Sequence, residues 1–228
     1  MWGGLVNALL RRFVGLVEAD ARAAGFTRRG PVFRYFDAGG DGIAFDIQRT
    51  VALRAEVAFF VNVGVLLGPH LRYYLGRKDP HRHAMPHHSV WHYRLVATDD
   101  TAELPDHTFE LSTDADADRA ATVVRTWLAT NLPRMKTWLG DADAMIEAVE
   151  HHREEFARAH AARLADPRRE AGRFPQGRWH DRAIRAYAHA QRGDVAAAGA
   201  ETATWNGGEE LAADVLALAD RRRTELKG

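Results

Sequence analysis

Residues 57–65, Val-Ala-Phe-Phe-Val-Asn-Val-Gly-Val, set the strongest limit on what this chain can fold into. β-Branched and aromatic residues fill most of the run, which is the composition of a central strand. Period two sends Val57, Phe59, Val61, Val63 and Val65 to one face and Phe60, Asn62 and Gly64 to the other, so both faces are at least partly covered. A buried amide costs free energy unless it is hydrogen-bonded, so Asn62 needs partners, and Gln48 on the preceding strand is the first one expected.

The flanking sequence builds outward from this strand. Trp2, Leu5, Val6, Leu9, Phe13, Leu16 and Val17 recur at helical spacing, which predicts a helix from Trp2 to Ala24 that is ended by Gly25-Phe26. Val32 to Phe36 and Ile43 to Gln48 read as the arms of a hairpin around a glycine-rich turn at 37–42, with Ile43, Phe45 and Ile47 facing a core and Ala44, Asp46 and Gln48 facing away. Prolines and glycines recur between Leu66 and Ser89 and predict a long irregular insert. Val90 to Leu95 and Thr108 to Leu111 supply further strands. The acid-rich run from Asp114 opens a helix whose buried side is Ala117, Ala120, Ala121, Val124, Trp127 and Leu128, and Pro133 is expected to end it.

After Gly140 the sequence shows helices and no convincing strand. One is expected at 141–164 with Met145, Val149, His152 and Phe156 inward, then others at 179–192, 195–204 and 209–225, with Gly193-Asp194 acting as stop and start. The fold class is therefore α+β: a four- or five-stranded antiparallel sheet packed by the N-terminal helix and a helix at 115–131, followed by a C-terminal helical bundle. Two regions are expected, an α+β domain at 1–140 and a helical region at 141–228.

Composition removes several functional classes. The chain has no cysteine, which excludes disulfides, thiolate nucleophiles and cysteine-ligated metal. Lys plus Arg and Asp plus Glu balance at 31 each, so nucleic acid is an unlikely partner on net charge. Neither a signal peptide nor a membrane span is read, and the expected compartment is the cytoplasm. The Ala- and Arg-rich, Lys-poor composition suggests a bacterial source.

Residues 1 to about 140 resemble the bacterial family known as domain of unknown function 4304. The resemblance rests on Gly25-Phe26 after the first helix, Phe33-Arg34-Tyr35, Phe45-Asp46-Ile47-Gln48, the Phe-x-Val-Asn-x-Gly strand at Phe59 to Gly64, Trp91 to Leu95 with its arginine, and Leu132-Pro133. It implies a fold and no activity. Residues 179–204, with Gly193-Asp194 at the junction, resemble a single tetratricopeptide-like helical hairpin, one copy being too few for a solenoid.

Candidate chemistry is confined to a few clusters. His81, His83, His87, His88 and His92 fall within residues 81–92, and His83, His87 and His88 are candidate ligands for a divalent transition metal. Glu147, His151 and Glu155 share one helix side but lack the zincin order. Asp114, Asp116 and Asp118 lack the glycine and glutamate of a calcium loop and read as helix capping, and Gly39-Gly40-Asp41-Gly42 leads into a strand, unlike a phosphate cradle. Arg34, Gln48, Asn62 and Arg94 have the parity to converge on one sheet face, either to staple strands or to bind an acidic group. The favoured function is a non-enzymatic protein-binding or adaptor module with a protein partner. The alternative is a metal-dependent hydrolase or nuclease using the His-rich loop 81–92 with acids such as Asp99, Asp100 or Asp106.

Overall fold

The computed structural model describes residues 8–51, 55–76, 79–95, 97, 108–141, 143–148, 150, 151, 154, 178, 179, 181–203, 205 and 208–228. One antiparallel sheet contains β1 (Thr27–Arg29), β2 (Val32–Phe36), β3 (Gly42–Thr50), β4 (Val57–Leu66), β5 (Trp91–Arg94), β6 (Phe109–Leu111) and β7 (Arg178–Trp179). The strand order is β1-β2-β3-β4-β5-β7, and β6 pairs with β4. β5 lies against the 62–65 end of β4 and β6 against its 57–59 end, so both share one flank of the central strand. The helices are α1 (Ala8–Ala23), α2 (Gly68–Leu75), α3 (Pro80–His83), α4 (Asp114–Gly140), α5 (Asp181–Gln191), α6 (Val195–Thr202) and α7 (Glu209–Glu225), with a short 3-10 turn at Pro86–His88. Residues 143–148 are helical as well.

The α+β architecture follows from the apolar stripes. Leu10, Phe13, Val14, Val17 and Ala21 of α1 and Ala117, Ala121, Val124 and Leu128 of α4 are buried in one core with Phe33, Phe45, Phe59, Val61 and Val63 of the sheet. Phe13 meets Phe59 with ring centroids 4.6 Å apart, and Phe33 stacks on Phe45 at 4.3 Å. Gly25 takes φ +90°, and the amide of Phe26 donates to the Ala21 carbonyl at 2.9 Å, so the Gly-Phe pair closes α1 as expected. Residues 1–7 of the expected helix lie outside the described residues.

Three expectations change. The proline-rich insert contains α2, α3 and the 3-10 turn, and Pro69, Pro80 and Pro86 each stand in the first turn of one of them. There the missing N–H would have had no helical partner anyway, so these prolines start helices. Pro133 does not end α4, which continues to Gly140. It forfeits one helical hydrogen bond, but Leu132, Met135, Trp138 and Leu139 are buried on both sides of it. Burial of each large apolar side chain contributes about 1.5–3 kcal/mol, enough together to exceed the roughly 3 kcal/mol cost of an internal proline. A strand does follow Gly140: β7 pairs with β5, Trp179 opposite Trp91. Val149, His152 and Phe156 fall outside the described residues, whereas Met145 is buried as expected.

The second sheet face is covered at one end by residues 67–76 and 79–90. Ala44, Leu66, Leu71 and Ala84 form a small core there. Gly64 lets the cover approach: a Cβ at this position would lie 2.6 Å from Ser89 Cβ and Oγ and 2.8 Å from the Pro86 carbonyl oxygen. The C-terminal helices have their own core of Ala186, Ala190, Ala198, Leu211, Val215 and Ala219, while Ile184 and Tyr187 of α5 enter the main core. Gly193 takes φ +70° and Asp194 caps α6 by accepting from the Ala197 amide at 2.9 Å, the stop and start expected from sequence.

The helical region is joined to the sheet through Asp41. Its Oδ1 accepts from the Gly68 amide at 2.7 Å, and its Oδ2 accepts from the Tyr187 hydroxyl, which in turn accepts from Gln191 Nε2 at 2.5 Å. Arg72 of α2 donates to Asp214 of α7 at 3.3 Å beside this joint. Burial raises the Asp41 carboxyl from an ordinary 3.8 to about 6 against the opposing pull of the Tyr187 and Gly68 hydrogen bonds. Burial and Asp41 push the Tyr187 hydroxyl far up as well, so it remains a donor at all ordinary pH.

Gly64→Ala is expected to lower stability by about 1–3 kcal/mol in urea titrations, since the cover must shift to admit the methyl group. Loss of less than a few tenths of a kcal/mol would contradict the close approach. A raised folded-state pKa means that Asp41 favours the fold fully below its unfolded value and that this contribution fades as pH rises through about 6. Wild type should therefore lose about 2–2.5 kcal/mol relative to Asp41→Asn between pH 4 and pH 7, a comparison in which the other titrating groups cancel. A pH-independent difference between the two would remove this assignment.

Candidate functional site

The polar residues of the strands meet on the second sheet face. Pairing aligns Arg34 with Ala44, Gly64 and His92 in one row, and Asp46 with Asn62 and Arg94 in the next. Gln48 and Phe60 form the row beyond. The small residues at 44 and 64 leave the space that Ser89 and Pro86 fill, so Arg34, Asp46 and Asn62 are buried while Gln48 stays exposed.

Asn62 is the hub. Its Nδ2 donates to Asp46 Oδ1 at 2.8 Å and to Gln48 Oε1 at 3.0 Å, and its Oδ1 accepts from Arg94 Nε at 2.9 Å. Both amide protons and the carbonyl are therefore engaged, and the side chain ties β3, β4 and β5 together. The Arg94 guanidinium also lies 4.0 Å from the centre of the Phe60 ring. Burial holds the Asp46 carboxyl above its ordinary range, although the Asn62 hydrogen bond and the charges of His87, Arg94 and Arg34 pull the other way.

Arg34, Gln48, Asn62 and Arg94 thus share one face as their parity requires, but they divide. Gln48, Asn62 and Arg94 satisfy one another, whereas Arg34 turns toward the cover and donates through Nε to the Ala84 carbonyl at 2.6 Å. Asp46 is the member that sequence reasoning left off the candidate list. Its signal was available, because period two placed this acid on the same face as the candidate Gln48.

The histidines separate too. His83 is exposed at the end of α3, and His81 lies against Phe36 with centroids 4.2 Å apart. His87 and His88 meet edge to face at 4.0 Å. Burial, with His87 and Arg34 adding to it, lowers His88 to about 4, and its Nδ1 accepts from the Met85 amide at 3.2 Å. Among the described residues no group of three or more His, Cys, Asp or Glu is arranged to hold a metal ion. Glu147 and His151 are exposed, and Glu155, Asp99, Asp100 and Asp106 lie outside the described residues. Asp116 caps α4 in a box with Thr113, accepting from the amides of Ser112 and Thr113 at 3.0 and 2.8 Å, while Asp118 pairs with Arg12.

A second surface adjoins the face. Tyr73 and Tyr74 of α2 meet edge-on at 5.6 Å, Tyr74 packs on His70 at 4.9 Å, and Tyr74 reaches His88 at 6.1 Å. In the sequence the prolines and glycines of the insert predict irregular chain and so hide the helix that presents these tyrosines.

Asn62→Asp would set a second carboxylate against Asp46 and remove the donor that serves it. Like charges raise both pKa values above their unfolded ones, so the variant should be weaker than wild type by about 3 kcal/mol or more at pH 7 and recover toward wild type as pH falls to about 4. Equal denaturation midpoints for the two proteins at pH 7 would show that the hub does not hold the strands. No protein-family model, curated protein or solved structure matches this chain, and its site is accordingly read from its own geometry.

Proposed function

We propose that this protein is a non-enzymatic binding module that docks a partner protein on the ridge made by α2 and the 86–88 turn. The observation that carries this reading is the exposure of Tyr73 and Tyr74, 42% and 50% accessible, side by side on one short helix. The only other exposed large hydrophobics among the described residues are Val51 and Leu226, which are not adjacent in the chain, so the tyrosine pair stands out as a patch. Tyrosine gives a large amphipathic contact at low entropic cost and is enriched at protein interfaces. The ridge also has a firm base, with Leu71 fully buried beneath it and Arg72 held by Asp214. A preordered aromatic patch loses little freedom on binding.

The bacterial cytoplasm remains the expected compartment. Residues 1 to about 140 are read as a divergent relative of domain of unknown function 4304. Supporting this, Gly25, Asn62 and Gly64, three positions that carry the resemblance, each occupy a conformation or contact in which residue type matters.

A photo-crosslinking amino acid placed at Tyr73 or Tyr74 in the native host should yield one discrete adduct, identified by mass spectrometry, that the same probe at exposed Val51 does not. Tyr73→Ala combined with Tyr74→Ala should weaken binding of the identified partner by at least about tenfold while leaving the melting temperature nearly unchanged. Adducts that are identical from all three positions, or none, would sink the docking reading.

A further inference from the structure

Arg34 is a buried cation whose guanidinium is in ion-pair contact with no carboxylate among the described residues, Asp46 acting on it only from a distance. It is 9% exposed, and its Nε donates to the Ala84 carbonyl. Among the described residues the guanidinium makes no other hydrogen bond and no ion pair, and its terminal nitrogens are not sealed from solvent. Asp46, diagonal to it across β2 and β3, takes its hydrogen bond from Asn62 instead. Arg29 of β1 shares the face, since Thr27 pairs with Arg34 and Arg29 with Val32, and it adds a second positive charge. Burial first, then repulsion from Arg29, lower the pKa of the Arg34 guanidinium, against the weaker pull of Asp46. A desolvated guanidinium with a like charge as neighbour is the environment that an anionic ligand relieves.

We propose that Arg34, with Arg29 beside it, is a binding site for a carboxylate group. Because Nε is engaged by Ala84, the edge left to a ligand is the pair Nη1 and Nη2, whose parallel N–H groups match the two oxygens of a carboxylate. Asp46 sits within electrostatic range and opposes a second negative charge, which favours a singly charged carboxylate over a phosphate dianion. His88, held neutral above about pH 4, adds no charge of its own. The site stands independently of the docking ridge and would persist if no protein partner bound there.

The test is a titration of nitrogen-15-labelled full-length protein with acetate at constant ionic strength, with chloride as reference and inorganic phosphate at pH 8 as competitor. Acetate should give saturable shifts centred on the Arg34 Nε–H and on the amides of residues 32–36. Arg34→Gln should abolish them, Arg29→Gln should weaken them several-fold, and phosphate should bind less tightly than acetate. Arg34→Lys keeps the charge without the fork and should cost about tenfold; it decides the matter if Arg34→Gln fails to fold. Linear shifts equal to those from chloride, shifts unchanged in the Arg34 variants, or tighter binding of phosphate than of acetate would overturn the proposal.

Discussion

The carboxyl of Asp41 joins stretches of chain that sequence distance keeps far apart. It sits at the end of the hairpin turn, holds the amide of Gly68 27 residues away, and receives the hydroxyl of Tyr187 146 residues away. Each partner opens or anchors an element: Gly68 begins α2, and Tyr187 carries α5 into the main core. A buried hydrogen bond to a charged group contributes about 1.5–3 kcal/mol, but its larger effect here is geometric. The junction sets the cover over the second sheet face and the C-terminal helices against the same turn of the hairpin.

The two sheet faces solve different problems. One is closed by α1 and α4 through close-packed aromatic and aliphatic side chains. The other is closed by a short segment that touches down where residues 44 and 64 have little side chain, and beneath it Asp46, Gln48, Asn62 and Arg94 bond to one another. That trapped set is rigid by construction, because each member of the Asn62 hub restrains the next. Arg34 lies beside this set, bonded to Ala84 of the cover and not to the hub, and the tyrosine ridge lies across His88. Both proposed binding surfaces thus lie on or beside the cover, on elements that are themselves held in place.

Much of this was legible in the sequence, where the signals were local. Gly25-Phe26, the hairpin, Gly193-Asp194 and the helix at Glu209–Glu225 each depend on residues within one turn of each other, and each was read correctly. The Asn62 to Gln48 contact was also legible, because the two lie on adjacent strands with matching parity. β1 and β7 were not, since strands of two or three residues carry no readable period. Pro69, Pro80 and Pro86 misled because proline marks a helix's first turn as well as its end, and nothing local distinguishes the two here. Asp41 looked like turn chemistry alone, for its second partner arrives from the far end of the chain.

The pairing of β7 with β5 has a consequence for the nascent chain. β5 is flanked on one side by β4 and on the other by two residues that leave the ribosome long after it, Arg178 and Trp179. Until they arrive, Trp91 and His92 present their unpaired backbone groups at the rim of an otherwise completed sheet, a template to which a neighbouring chain can add a strand. The strand is kept to four residues and carries His92 and Arg94, features that shorten and charge the vulnerable edge. β7 therefore covers that part of the β5 edge only after the rest of the sheet has been synthesised.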